Sequence, residues 1–359
     1  MRVLIAAGGT GGHIYPGIAV AKEILRRDSK SEVRFVGTAR GLENKLVPQA
    51  GFQLSLIDST GLKNVGSMAR IRGLLVMPKS FQQARRLIRE FQPDIVVGVG
   101  GYVTGPVLLM AALQRVPTLA MESNALPGWT NRTLARFIRK AAVSFDASLK
   151  YFRGKGVVTG NPVRREFFEI PPRERDATQF AILIFGGSQG AHAINEAMTQ
   201  ALPLLDGFKS KLKIRHQTGE ADFEAVSKAY AAAGWSDRAT VSRYIDDMVA
   251  AIAEVDLVMC RAGATTTAEL IAAGKASLMI PFPYAADDHQ RKNAEALEAA
   301  GASRMILQQD LTAQRLADEI LNLASDPEKI SAMEQASRKL ARGDAAAAVV
   351  NLMEELARR

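Results

Sequence analysis

Short runs of Val, Ile and Leu alternate along this chain with segments of helical periodicity. Apolar runs without an intervening polar face suit strands buried on both sides, as in parallel sheets built from βαβ units. The pattern predicts strands at Val3–Ala7, Val33–Val36, Leu54–Ile57, Ile95–Val99, Thr118–Met121 and Ala141–Val143. It predicts a second set at Phe180–Phe185, Lys213–Gln217, Ala239–Ser242, Leu257–Cys260, Ala276–Ile280 and Ser303–Ile306. Between the sets, 161–178 carries three prolines and mixed charge and reads as a linker. The Ala-rich tail after Asp326 reads as helical. A chain of 359 residues can bury two cores. The expected class is α/β, with two doubly wound Rossmann-like domains at 1–160 and 179–340. A helix over 341–359 is expected to pack back toward the first domain. Domains of this kind facing a central cleft hold ligands at the carboxyl ends of their strands.

Two of these strands run into similar turns. Val3–Ala7 meets Gly8-Gly9-Thr10-Gly11-Gly12-His13, with a helical pattern from Pro16, and Phe180–Phe185 meets Gly186-Gly187-Ser188-Gln189-Gly190. Glycine lets backbone approach a ligand closely, and the helix start behind it aims N–H groups at an anion such as a diphosphate. The dinucleotide spacing G-x-G-x-x-G is absent, so a nicotinamide cofactor is not indicated. His13 is a candidate proton acceptor, or an imidazole that only hydrogen-bonds ligand or backbone. Gly98 to Pro106, with Gly100, Gly101, Tyr102 and Thr104, is either a second anion cradle or a site of close helix packing. Arg164 could clamp a diphosphate or be a solvated linker charge. Cys260 to Glu269 leaves a strand and starts a helix whose small and hydroxyl residues suit phosphate. Glu269 there could hold vicinal hydroxyls or complement the helix dipole. In Pro281 to Ala294, Gln290 and Asn293 could meet a sugar, and Asp288 could cap the helix. The pairs Asp246-Asp247 and Asp287-Asp288 are caps or ligands. No Asp-x-Asp triplet occurs, so neither a metal nor a cofactor is expected, and helix dipoles with Arg164 would carry a leaving diphosphate.

Charge adds a partner. Residues 1–160 hold 23 Lys/Arg against 9 Asp/Glu, whereas 161–359 hold 23 against 28. An anionic surface met by the first half alone would explain this. With aromatics at 6% and no nucleic-acid motif, a membrane leaflet is favoured over nucleic acid. Apolar Ile71, Leu74 and Leu75 lie among Arg70, Arg72, Lys79, Arg85, Arg86 and Arg89. That is the make-up of an interfacial anchor, with a solvated face as the alternative. In the helix that follows, Phe81, Ala84, Ile88 and Phe91 share one core-facing side. No apolar run reaches the roughly 20 residues of a bilayer span, and glycines interrupt the N-terminal run before it could serve as a signal sequence. Cys260 is the only cysteine, which excludes an intrachain disulfide and suits a reducing compartment.

Taken in order, GGTGGHIYPGIAVA, GVGGYVTGP, ESNALPGWTN, GNPVR, FGGSQGA, YIDDM, RAGATTTAEL and PFPYAADDHQRKNA resemble the MurG family of GT-B peptidoglycan N-acetylglucosaminyltransferases. The resemblance implies UDP-N-acetylglucosamine as donor and undecaprenyl-diphosphate-N-acetylmuramoyl-pentapeptide (lipid I) as acceptor. Lipid II would be made at the cytoplasmic face of the bacterial inner membrane by a peripheral enzyme, with cell-wall synthesis or division proteins as candidate partners. Carried over by position, donor contacts fall on Thr10, Gly11, Gly12, Asn124, Arg164, Ser188, Ile245 (through backbone, to the uracil), Ala264, Thr265, Thr266, Thr267, Ala268, Glu269 (to the ribose) and Gln290. The acceptor would meet Gly100, Gly101, Tyr102 and Thr104, and His13 would be the base. One departure stands at Met121-Glu122-Ser123-Asn124, where many relatives have His-Glu-Gln-Asn. A glycolipid transferase with another acceptor, a UDP-sugar epimerase and a membrane-docked binding protein are the alternatives.

Overall fold

The computed structural model describes residues 1–9, 11–39, 41–59, 67–175, 178–187 and 189–358, with the side chains of 67–75 and 286 outside that description. The chain forms two compact units, Met1–Val163 with Asp344–Arg359, and Arg164–Gly343.

In the first unit, β1 (Arg2–Ala7), α1 (Gly11–Arg27), β2 (Glu32–Gly37), α2 (Glu43–Gln49), β3 (Gln53–Leu56) and α3 (Ser67–Phe91) come first. They are followed by β4 (Ile95–Gly100), α4 (Thr104–Leu113), β5 (Thr118–Glu122), α5 (Trp129–Leu134), β6 (Lys140–Val143) and β7 (Gly156–Val158). The strands form one parallel sheet in the order β3-β2-β1-β4-β5-β6-β7. Val3 to Ala7 and Ile95 to Val97 are almost wholly buried, which explains their unbroken apolar character. The edge strand β7 has no counterpart among the expected strands. Its three residues begin with glycine and are too few to show a period.

In the second unit, β8 (Phe180–Phe185), α6 (His192–Ala201), β9 (Leu212–Gln217), α7 (Phe223–Ala232), β10 (Ala239–Ser242) and α8 (Met248–Ala253) lead. Then come β11 (Leu257–Cys260), α9 (Ala264–Ala273), β12 (Ala276–Met279), α10 (His289–Ala299), β13 (Ser303–Met305), α11 (Ala313–Ala324) and α12 (Pro327–Leu340). Its parallel sheet runs β10-β9-β8-β11-β12-β13. The segment read as linker is anchored from Arg164 onward. Arg173 Nε donates to the buried Asp256 carboxylate at 3.0 Å, and Arg175 lies 2.6 Å from Glu334.

The tail is two helices rather than one. α12 belongs to the second unit, and α13 (Ala345–Ala357) belongs to the first. Val349, Val350, Met353 and Leu356 of α13 enter the core that also holds Ile14, Ala21 and Ile24 of α1. Arg27 of α1 fixes the contact through Asn351 Oδ1 at 2.7 Å and the Ala347 carbonyl at 3.0 Å.

Candidate active site

In each unit the strand order reverses between its first and fourth strands, β1 and β4 or β8 and β11. Such reversals open a crevice at the carboxyl ends of the two strands, where open α/β sheets bind ligands. The glycine turns lie at these two places.

In the first crevice, Ala7 pairs with Gly100, so the turns after β1 and β4 are neighbours. Gly8 N donates to the Gly100 carbonyl at 3.2 Å. A Cβ at Gly100 would overlap the His13 ring, and one at Gly101 would overlap the Gly8 carbonyl. Close packing therefore accounts for glycine at both positions. α1 begins at Gly11, earlier than the expected start near Pro16. Two glycines and a proline weaken the helical signal there, and the carbonyl that Pro16 cannot bond is that of Gly12. Gly11 and Gly12 thus lie in the first turn, whose amides have no intrahelical acceptor. Thr10 lies outside the described residues.

His13 Nδ1 donates to the Gly8 carbonyl at 3.3 Å. A carbonyl can only accept, so the neutral ring carries its proton on Nδ1 and its lone pair on Nε2. Tyr102 is exposed, but Thr104 is buried. The Thr104 hydroxyl accepts from Gly100 N at 3.1 Å and donates to Gly100 O at 2.9 Å. Thr104 thus shapes the loop from beneath. Asn124 is tied to the buried Glu122, whose Oε1 accepts from its amide N and Nδ2, each at 3.0 Å. Glu122 Oε2 accepts from Gly128 N and Asn131 Nδ2, each at 2.9 Å. One carboxylate thereby organises the loop after β5. Ser123, at the departure from the family pattern, is buried and donates to Asn161 Oδ1 at 3.0 Å.

In the second crevice, the turn after β8 lies directly on the end of β9. A Cβ at Gly190 would overlap the Thr218 carbonyl. Gln217 Nε2 donates to Gly187 O at 2.8 Å, and its Oε1 accepts from Ile245 N at 3.2 Å. Ser188 is outside the described residues. Gly263 is the N-cap of α9 and brings no capping side chain, so the Thr265 and Thr266 amides in the first turn have no intrahelical acceptor. The Thr265 hydroxyl is buried with no partner among the described residues. Thr267 is buried, and its hydroxyl donates to Ala264 O at 3.0 Å. Thr266 and Ala268 are partly exposed.

Burial raises the Glu269 carboxyl to about 7, against the opposing pull of Arg164. Arg164 stacks over Phe167 at 4.9 Å. The second unit therefore brings Arg164 near Glu269, one turn along α9 from Thr265. Gln290 Oε1 accepts from Phe282 N at 3.0 Å. Asn293 is fully buried and donates to Ala262 O at 3.1 Å. Asp288 occupies the N-cap of α10 without a capping bond; it and Asp287 have left-handed φ of 55° and 56°. Asp247 does cap α8, accepting from Ala250 N at 3.0 Å.

Sequence reasoning missed Glu43, a buried carboxylate behind the first turn, and Arg261. Arg261 donates to the carbonyls of Ile280 and Pro281 at 3.0 and 3.2 Å and to Gln308 Oε1 at 2.6 Å. Neither stands in a recognisable spacing, because each acts on segments distant in sequence. In α3, Lys79, Arg85, Arg86 and Arg89 are exposed, and Ala84, Ile88 and Phe91 are buried. The side chains of Ile71, Leu74 and Leu75 lie outside the described residues.

The glycosyltransferase family 28 N-terminal domain matches residues 3–143, and the C-terminal domain of that family matches 181–349. The chain is 48% identical over 353 residues to the UDP-N-acetylglucosamine–N-acetylmuramyl-(pentapeptide) pyrophosphoryl-undecaprenol N-acetylglucosamine transferase of Syntrophus aciditrophicus, covering 98% of this chain and 97% of that one. The transferase of the same name from Geobacter sulfurreducens is 46% identical, with 98% of each chain covered. The crystal structure of Acinetobacter baumannii MurG superposes with a TM-score of 0.82 at 33% identity, over 99% of both chains.

The chain belongs to the MurG family. The UDP-N-acetylglucosamine 2-epimerase of Neisseria meningitidis shares the fold alone, with a TM-score of 0.70 at 16% identity over 99% of this chain and 100% of that one. Four of the eight segments that mark the MurG resemblance lie at the two crevices: the turns after β1, β4 and β8, and the start of α9.

Proposed function

We propose that this chain transfers N-acetylglucosamine from UDP-N-acetylglucosamine to the C4 hydroxyl of the muramoyl sugar of lipid I, giving lipid II. Near-full-length likeness to transferases of that name carries the reading. In this chemistry the acceptor oxygen bonds to the anomeric carbon of the donor, and the bond from that carbon to the diphosphate breaks with inversion from α to β. The electron pair leaves with UDP, and the hydroxyl proton passes to a base. His13 is our assignment for the base, with Nε2 as the accepting nitrogen. That choice is supported by the Nδ1 donation to Gly8, which leaves the lone pair on Nε2.

The leaving diphosphate is assigned to α9, whose Thr265 and Thr266 amides, Thr265 hydroxyl and nearby Arg164 supply donors and positive charge without a metal. Glu269 as a carboxylate accepts from the ribose hydroxyls. Ile245, whose amide is taken by Gln217, would meet the uracil through its carbonyl. Gly11 and Gly12 are assigned to the donor as amides of the first turn of α1, with Thr10, Asn124, Ser188 and Gln290 as further contacts. Gly100, Gly101 and Tyr102 are assigned to the acceptor.

The first unit, with 25 Lys/Arg against 12 Asp/Glu, is assigned to the anionic cytoplasmic leaflet through α3. No described helix is long and apolar enough to cross a membrane. The test is UDP release from UDP-N-acetylglucosamine with and without a lipid I analogue. Release that requires the analogue supports the reading. Donor turnover without acceptor would mark an epimerase, and preference for a different glycolipid would reassign the acceptor.

A further inference from the structure

Glu43 opens α2 and has no solvent exposure. Its carboxylate accepts from Thr38 N at 2.8 Å and Thr38 Oγ1 at 2.9 Å through Oε1, and from Gly9 N at 2.9 Å through Oε2. Burial by itself would raise its pKa. The hydrogen bonds from Thr38, its own amide and Gly9 outweigh that and hold it below the ordinary carboxylate value, so the group is ionised at neutral pH. The chain makes room for it on three sides. A Cβ at Gly37 or Gly41 would overlap the Glu43 side chain, and one at Gly8 would stand 3.1 Å from Oε1.

Gly9 is held at both of its backbone polar groups, because its carbonyl also accepts from Leu42 N at 3.4 Å. On the opposite side of the same turn, Gly8 N reaches Gly100 O, and Gly8 O receives His13 Nδ1. A two-glycine turn with φ of +91° at Gly9 has little stiffness of its own. Its geometry is set by what grips it.

We propose that Glu43 is a positioning residue. Its carboxylate fixes the Gly8–Gly9 backbone so that the Gly8 carbonyl holds the His13 imidazole as the Nδ1–H tautomer with Nε2 toward the substrate. The catalytic consequence rests on His13 being the base; the structural coupling does not. Glutamine is the informative replacement. With donors at both oxygens, its NH2 must face an N–H at one of them.

The chain has four histidines, so ring 15N signals of labelled protein resolve His13 by comparison with a His13→Gln spectrum. Wild-type protein is expected to show a protonated Nδ1 and an unprotonated Nε2. In Glu43→Gln the His13 signals move toward a mixture of tautomers, kcat falls by roughly tenfold or more and the donor KM changes by less than about threefold. Unchanged His13 signals in Glu43→Gln overturn the proposal, whatever happens to activity. Signals that move while kcat holds establish the positioning role and remove His13 as the base. Should Glu43→Gln fail to fold, Thr38→Val removes one donor to the same carboxylate. It is expected to shift the His13 signals in the same direction by less, and an unchanged His13 there is equally contradictory.

Discussion

Glu269 is the residue whose chemistry is most directly set by its surroundings. At a value near 7, raised by burial, it is mostly protonated at pH 6 and mostly ionised at pH 8. Only the carboxylate accepts from two ribose hydroxyls. Affinity for UDP-N-acetylglucosamine, whose diphosphate diester does not titrate in this range, is therefore expected to tighten about five- to tenfold between pH 6 and pH 8. Calorimetric titration of wild type and Glu269→Gln checks this, and the glutamine variant should bind with one affinity at both pH values. The glycine turns were legible because they stand at the ends of apolar strands. What the sequence hides is the support beneath them. Glu43 reaches a turn 34 positions away, and Asn293 reaches the Ala262 carbonyl on the far side of α9 in sequence, 31 positions away.

Strands could be read because those central to a parallel sheet are apolar throughout. The starts of helices were less readable where glycine and proline lower helix propensity, as at Gly11 to Pro16, and a three-residue edge strand leaves no pattern. Within the elements, β9 carries an acid-sensitive group. His216 is buried, bonded to Tyr230 and Asn195, and pushed down to about 3 by burial. The unfolded chain binds that proton near 6.5, so it holds more protons than the fold between pH 3 and 6.5, and stability rises with pH across that window. The contribution is complete above pH 6.5 and is on the order of 5 kcal/mol at most. Denaturant melts at pH 7 and pH 4 should show the second unit losing more stability in wild type than in His216→Gln.

Helix α3 gives a different prediction. Exposed Arg85, Arg86 and Arg89 are expected to draw α3 toward an anionic leaflet. Their triple replacement by Glu should abolish co-sedimentation with anionic liposomes and spare donor binding. Retained sedimentation removes α3 as the contact.

Across the whole molecule, two parallel sheets share one chain, and the last helix returns to the first of them. α13 places Val349, Val350, Met353 and Leu356 in the first core. At roughly 1.5–3 kcal/mol for each fully buried side chain, their loss rivals the ~5–15 kcal/mol that holds an ordinary domain together. A chain ending at Gly343 is expected to lose the cooperative unfolding transition of the first unit and to keep that of the second, as followed by urea melts with hydrogen exchange. The charge imbalance seen in the sequence remains when counted by unit: the second holds 21 Lys/Arg against 25 Asp/Glu, beside the basic first. The central claim is a particular bond. Purified chain given UDP-N-acetylglucosamine and a lipid I analogue should yield a disaccharide whose NMR spectrum shows a β linkage from C1 of N-acetylglucosamine to O4 of the muramoyl sugar. An α linkage, attachment at another hydroxyl or no disaccharide at all would contradict it.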